Sequence, residues 1–246
     1  MDIRGNQLTS IQLHGLPQLT KLDMSQNEQL ATIELKDLPQ LKKLSLKKCN
    51  LNEIPALHRV LSLTEIDLSE NRLMVLGGDI FEGLANLKKL VLSGNNLMML
   101  PDEISMPLKN LEVLLLSTNK IARLPSSLLR MKNLKNIELY SNQLSNVSIL
   151  TKMDSLTSVN VEENGNILCS CDIVNWALNG QSKGKAFKGS CINMNLQESY
   201  EFSIEYDWKG FKSSTIPIIT NETYYGCACQ NNPCQNKGRC NMRCLF

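Results

Sequence analysis

Along its first 165 residues the chain repeats one pattern of apolar and polar positions. LTKLDMSQNEQL begins at Leu19, LKKLSLKKCNL at Leu41, LTEIDLSENRL at Leu63 and LKKLVLSGNNL at Leu87; LEVLLLSTNKI follows at Leu111, LKNIELYSNQL at Leu134 and LTSVNVEENGNI at Leu156. The starts lie 22 to 24 residues apart, and MDIRGNQL at the beginning repeats the second half of the same pattern. A fixed period of this length means one small structural unit per repeat. Within each unit the apolar residues alternate over LxLxx, the period of a strand with one buried face. The rest of each unit, about a dozen residues, is long enough to bring the chain back parallel beside the previous strand. A single unit cannot bury its own leucines, whereas stacked units share one continuous core.

Position nine of the successive units is Asn27, Cys49, Asn71, Asn95, Asn119, Asn142 and Asn164. A side chain turned inward just after the strand can hydrogen-bond the backbone of its own and the neighbouring unit. Leaving such buried groups unpaired costs about 1–3 kcal/mol each, so few residue types fit. Cysteine is small, readily buried and a weak donor.

The pattern LxxLxLxxNxL resembles the leucine-rich repeat, over residues 1–163. The resemblance implies an α/β solenoid: a right-handed coil of about seven and a half repeats with a parallel β-sheet on its concave side. The family accepts cysteine at position nine, which makes Cys49 a ladder residue in place of a reactive or intermolecular thiol. LGGDIFEGLANL, Leu76 to Leu87, resembles the phenylalanine-bearing repeat of extracellular members, with Phe81 packed as a spine; LPDEI and LPSSL mark shorter repeats.

Composition narrows the function classes. A formal net charge of +2 over 246 residues gives no concentrated basic face for nucleic acid. No run of eighteen apolar residues is present to span a membrane, and MDIRGNQLTS is not an apolar signal segment. Met1 falls in mid-repeat, so a fragment is expected, with an uncapped N-terminal edge around Ile3 and Leu8 through which the chain would self-associate. The nine cysteines are unevenly spread: all but Cys49 lie from Cys169 onward.

With Cys49 in the ladder, eight cysteines remain and can pair. NGNILCSCDIVNWALNG (Asn164 to Gly180), followed by Cys191, resembles the C-terminal flanking cap of extracellular leucine-rich repeat proteins. An open solenoid end would expose leucines and unpaired strand edges, and Ile173, Trp176 and Leu178 would cover it. The family's first-to-third and second-to-fourth pairing implies Cys169 with Cys191 and Cys171 with Cys227, giving a disulfide-stabilised cap over 164–227. The 36 residues separating Cys191 from Cys227 leave Cys229 as the alternative partner. CQNNPCQNKGRCNMRC, from Cys229, resembles the opening half of an EGF-like module, a small cysteine-rich tail over 228–246. It implies bridges Cys229 to Cys240 and Cys234 to Cys244, although four cysteines permit three connectivities. Zinc is the competing reading, but zinc modules show paired CxxC spacings or histidines, and His14 and His58 lie far away in the repeats. Disulfides imply an oxidising compartment, and the sequons at Asn146 and Asn221 agree with it.

Positions three, five and seven of each repeat point outward from the concave sheet. Column five reads Asp23, Ser45, Asp67, Val91, Leu115, Glu138, Asn160, and column three reads Lys21, Lys43, Glu65, Lys89, Val113, Asn136, Ser158. Val91, Val113, Leu115 and Tyr140 are expected to form one exposed patch bordered by Lys88 and Lys89 and by Glu138 and Glu162, the make-up of a protein-binding surface. Exposed aliphatics suited only to β geometry are the structural alternative. Lys42, Lys43, Lys47 and Lys48 form a basic cluster beside Glu65, Asp67 and Glu70, a self-neutralised face or a glycosaminoglycan site.

No phosphate-cradling loop, catalytic triad or metal-ligand cluster is discernible, so neither an enzyme nor a cofactor is expected. Repeats, cap and EGF-like opening together resemble secreted or cell-surface proteins of the Slit and vasorin type. The resemblance implies an extracellular module that binds a protein ligand in adhesion, guidance or growth-factor signalling. A Toll-type receptor ectodomain of innate immunity and an intracellular leucine-rich repeat scaffold are the alternatives.

Overall fold

The fold was derived from a computed structural model that describes residues 1–57, 59–165, 167–168, 173, 176, 185–193 and 198–204. In chain order its strands are β1 (Ser10–His14), β2 (Lys21–Asp23), β3 (Thr32–Lys36), β4 (Lys43–Ser45), β5 (Glu65–Asp67) and β6 (Lys89–Val91). There follow β7 (Val113–Leu115), β8 (Asn136–Glu138), β9 (Ser158–Asn160), β10 (Ala186–Asn193) and β11 (Glu198–Ile204). One sheet runs β11-β10-β9-β8-β7-β6-β5-β4-β2, parallel from β2 to β10 and closed by antiparallel β11. Asp2 adds one further parallel bridge, to Asp23, beyond β2.

Every strand of this sheet between β2 and β9 is three residues long with its middle residue buried, as in Leu22, Leu44, Ile66, Leu90 and Leu114. Two residues on, Met24, Leu46, Leu68, Leu92 and Leu116 are also fully buried. This period-two burial follows from the pleat, and the stacked leucines make one core from end to end. Burial of each such side chain contributes about 1.5–3 kcal/mol.

After the strand the chain turns inward through a left-handed residue at position eight. Gln26, Lys48, Glu70, Thr118, Ser141 and Glu163 have φ of 53–61°, and Gly94 has 69°. The turn aims position nine into the core. There the Asn71 amide nitrogen donates to the carbonyls of Leu46 at 2.8 Å and Leu68 at 2.9 Å, and its oxygen accepts the N–H groups of Cys49 and Leu51, both at 3.0 Å. Asn95, Asn119, Asn142 and Asn164 likewise donate to two carbonyls, and each accepts one N–H, from Leu73, Leu97, Ile121 and Leu144, and Asn27 bonds the carbonyls of Ile3 and Met24. Cys49 is fully buried and unpaired with any other cysteine; its thiol reaches the Met24 carbonyl at 3.3 Å. Burial pushes this thiol's pKa up.

The far side of the coil differs along its length. β1 pairs in parallel with β3, from Ser10 with Thr32 to His14 with Lys36. The repeat pattern predicts no strand here, although Ile11, Leu13, Ile33 and Leu35 alternate with polar residues. Later coils use short 3-10 helices, η1 (Asp102–Ser105), η2 (Ser126–Arg130) and η3 (Leu150–Lys152). Pro101 and Pro125 precede the first two, a position that proline's fixed φ suits. Phe81 is buried in the coil between them and the first repeats.

At the C-terminal end β10 continues the sheet: Phe187 stands in register with Val159 and is fully buried, in the position of a repeat leucine. Trp176 stacks on it, ring centroids 3.9 Å apart at 23°, and Ile173 is buried. Aromatic rings thus cover the last coil. Leu178, Cys169, Cys171, Cys227, Cys229, Cys234, Cys240, Cys244 and Asn221 lie outside the described residues, as does the whole 228–246 segment; Cys191 is a backbone position in β10 opposite Tyr200.

Candidate functional site

The strand register puts equivalent positions of adjacent coils side by side. Column three runs Lys21, Lys43, Glu65, Lys89, Val113, Asn136, Ser158, Ala186, and column five runs Asp23, Ser45, Asp67, Val91, Leu115, Glu138, Asn160, Lys188. The last member of each comes from β10. β10 lacks the LxxLxL pattern, so the eighth concave strand was not legible as one.

The N-terminal half of this surface satisfies itself. Asp23 Oδ1 accepts the Ser25 N–H at 3.0 Å and hydroxyl at 2.5 Å, and Asp67 does the same for Ser69 at 2.9 and 2.6 Å. Lys43 pairs with Glu65 at 2.5 Å, Lys47 with Glu70 at 2.8 Å and Lys48 with Glu28 at 3.9 Å. The side-chain hydrogen bond and charge of Lys47 lower the pKa of Glu70, and Glu70 in turn raises that of Lys47.

The centre is different. Val91, Val113 and Leu115 occupy neighbouring positions on β6 and β7, with Val91 in register with Leu115 and Lys89 with Val113. All three are half-buried, not fully exposed as the sequence suggested, because adjacent strands shield each other's side chains; Lys89 is exposed. Tyr140, also half-buried, follows β8, and its backbone carbonyl accepts the Thr118 N–H at 2.7 Å.

Toward β9 the surface turns acidic. Burial pushes the Glu138 carboxyl up, and neighbouring Glu162 adds to this, against the hydrogen bond of Asn160 and the charge of Lys188. A hydrogen bond to Glu163 and partial burial hold the Tyr140 phenol above its ordinary pKa. At the starts of β6, β7 and β8, Glu112 bridges Lys88 at 3.3 Å and Lys135 at 2.8 Å, which holds its carboxyl down, Lys135 most strongly. The site is therefore an apolar strip between a self-paired polar face and a half-buried carboxylate. Its chemistry suits contact with a protein surface.

Asn146 is exposed, and its side-chain oxygen accepts the Ser148 N–H at 2.8 Å. Among the described residues no cluster of His, Cys, Asp and Glu could hold a metal ion, and no helix is long and apolar enough to cross a membrane.

Residues 61–121 match the family described as leucine rich repeat. The coil and its ladder extend the same repeat geometry on both sides of that matched stretch. A solved structure of a leucine-rich repeat protein from Leptospira interrogans is similar at 28% identity, covering 60% of this chain and 44% of that one, with a TM-score of 0.47. The chain thus corresponds to less than half the length of that protein. No curated protein matches the chain.

Proposed function

We propose that the chain is an extracellular protein-binding module that presents its concave sheet to a protein ligand in adhesion, guidance or growth-factor signalling. The carrying observation is the apolar strip of Val91, Val113 and Leu115, which stands in the middle of the sheet while the polar groups N-terminal to it are paired with one another. An apolar centre within a polar rim is the anatomy of a binding hot spot. The ligand would place an aliphatic or aromatic anchor over Leu115 and a basic group near Glu138. A stack of hydrogen-bonded coils displays such a surface rigidly, so binding entails little rearrangement.

The cysteine-dense C-terminal third, the expected cap and EGF-like pairings and the sequon at exposed Asn146 support the extracellular assignment. Glycosaminoglycan binding is the weaker reading, since Lys43, Lys47 and Lys48 each have a carboxylate partner.

The test is a screen of the chain against a panel of secreted and cell-surface ectodomains, with Leu115→Asp alongside. A ligand bound by the wild type and lost in Leu115→Asp, but kept in the far-side variant Lys109→Asp, is expected. A ligand insensitive to Leu115→Asp would contradict the concave assignment. Mass spectrometry under non-reducing conditions tests the compartment: eight free thiols in the native chain would favour an intracellular scaffold.

A further inference from the structure

The flank of the coil carries a second apolar surface that the concave site does not use. Past position nine each coil from Asn27 to Asn142 buries one apolar side chain and then turns two residues to solvent. On two adjacent coils, and there alone among the described residues, both are large and apolar: Met74, Val75, Met98 and Met99, exposed by 58%, 72%, 59% and 47%. The coils touch here directly: the Asn96 N–H donates to the Leu73 carbonyl at 2.9 Å and the Ala122 N–H to the Met98 carbonyl at 3.3 Å. Four large apolar side chains therefore form one contiguous patch, of the kind that marks an interaction site. Three are methionines, whose flexible thioethers repack against a partner.

The border of the patch is sorted by charge. Exposed Arg72 and Lys120 lie on its strand side and Arg123 on the next coil. Exposed Asp102 and Glu103 lie on its far side and Glu53 on the preceding coil. Among the described residues none of these six forms an ion pair, whereas Lys43, Lys47 and Lys135 on the sheet side all do.

We infer that this patch is the interface of a twofold-symmetric dimer of the chain. A closed dimer buries the same patch on both copies, so the apolar centre meets its own image. With the twofold axis running diagonally across the patch, along the line between its basic and acidic borders, each basic border faces an acidic one. A second copy thus supplies by symmetry the partners that these charges lack within one chain. The contact is on the flank, which leaves both concave sheets open.

Sedimentation equilibrium of the full chain tests this. The wild type is expected to dimerise reversibly, and Met98→Glu to sediment as a monomer with an unchanged circular dichroism melt, since the side chain is exposed. Arg123→Glu should weaken the dimer about tenfold, as two symmetry-related exposed pairs would, and adding Glu103→Arg, opposite it across the diagonal axis, in the same chain should restore it. A wild type monomeric up to about 100 µM, beyond the range of ordinary specific association, would assign the patch to another occupant and overturn the inference. Dimerisation unaffected by Met98→Glu, as association through the N-terminal edge would give, would overturn it equally.

Discussion

The side-chain oxygen of Asn71 accepts the backbone N–H of Cys49 at 3.0 Å, so the amide of one coil holds the chain of the coil before it. Cys49 occupies the matching place but offers only a thiol, which reaches the Met24 carbonyl of the preceding coil at 3.3 Å and the Lys47 carbonyl of its own at 3.6 Å. The ladder is therefore weakest at its one sulfur rung.

Asn119 measures the worth of a full rung. Its oxygen accepts the Leu97 N–H at 3.0 Å and its nitrogen donates to the carbonyls of Leu92 and Leu116 at 3.0 and 2.9 Å. Asn119→Ala strands these buried groups and should cost about 2–4 kcal/mol in urea denaturation. Asn119→Cys should cost less, because a thiol can keep one carbonyl contact as Cys49 does.

Cys49 should be chemically silent in the folded chain. It is fully buried and its pKa is raised, so iodoacetamide followed by peptide mapping should label it only in denaturant. An acid with a raised folded pKa lends stability below its unfolded value, about 8.5 for a thiol, and that stability declines as pH rises beyond it. Rapid native labelling at neutral pH would contradict the ladder role.

The coil itself was legible because its determinants are short and recur: an inward leucine every second residue, an amide at position nine and a period of about two dozen. The strand columns follow from that register. The left-handed residue at position eight was not legible, since Gln26, Lys48, Glu70 and Thr118 share no side-chain chemistry and the turn is imposed by the coil. Nor was the flank patch, because Met74 and Met98 read as ordinary apolar residues until the stacking aligns them. Phe187 escaped for the opposite reason: it fills a repeat position without a repeat around it.

Among the described residues Phe187 is the last buried member of the core. It is fully buried against Trp176, and Phe187→Ala should cost about 3–5 kcal/mol through lost burial and the cavity left. Thermal unfolding followed by circular dichroism would register it. A loss below about 1 kcal/mol would mean that the last coil closes without it.

Thr118 holds a β-branched side chain at φ 55°, where L-residues are strained by roughly 1–2 kcal/mol. Thr118→Asn relieves part of this, since asparagine tolerates that region, and should raise the melting temperature. A fall would mean that the threonine makes a contact worth more than the strain.

Glu138 should show opposing effects on stability and binding. Burial raises its pKa, so the fold prefers the neutral carboxyl, and this contribution is lost as pH rises through the ordinary carboxylate range. Glu138→Gln should therefore melt higher than the wild type at pH 7 and alike at pH 3, while weakening a basic ligand. Lower stability at pH 7 would show that the charge is structurally required.

The most direct measurement is thermal unfolding of Leu115→Asp beside Leu116→Asp. Leu115 faces the concave surface, and Leu116 is fully buried one residue later. The predicted result is a melt close to wild type for Leu115→Asp and a loss above about 4 kcal/mol, or failure to fold, for Leu116→Asp, where a charge would enter the core. Equal losses at the two positions would contradict the outward column on which the binding surface is built.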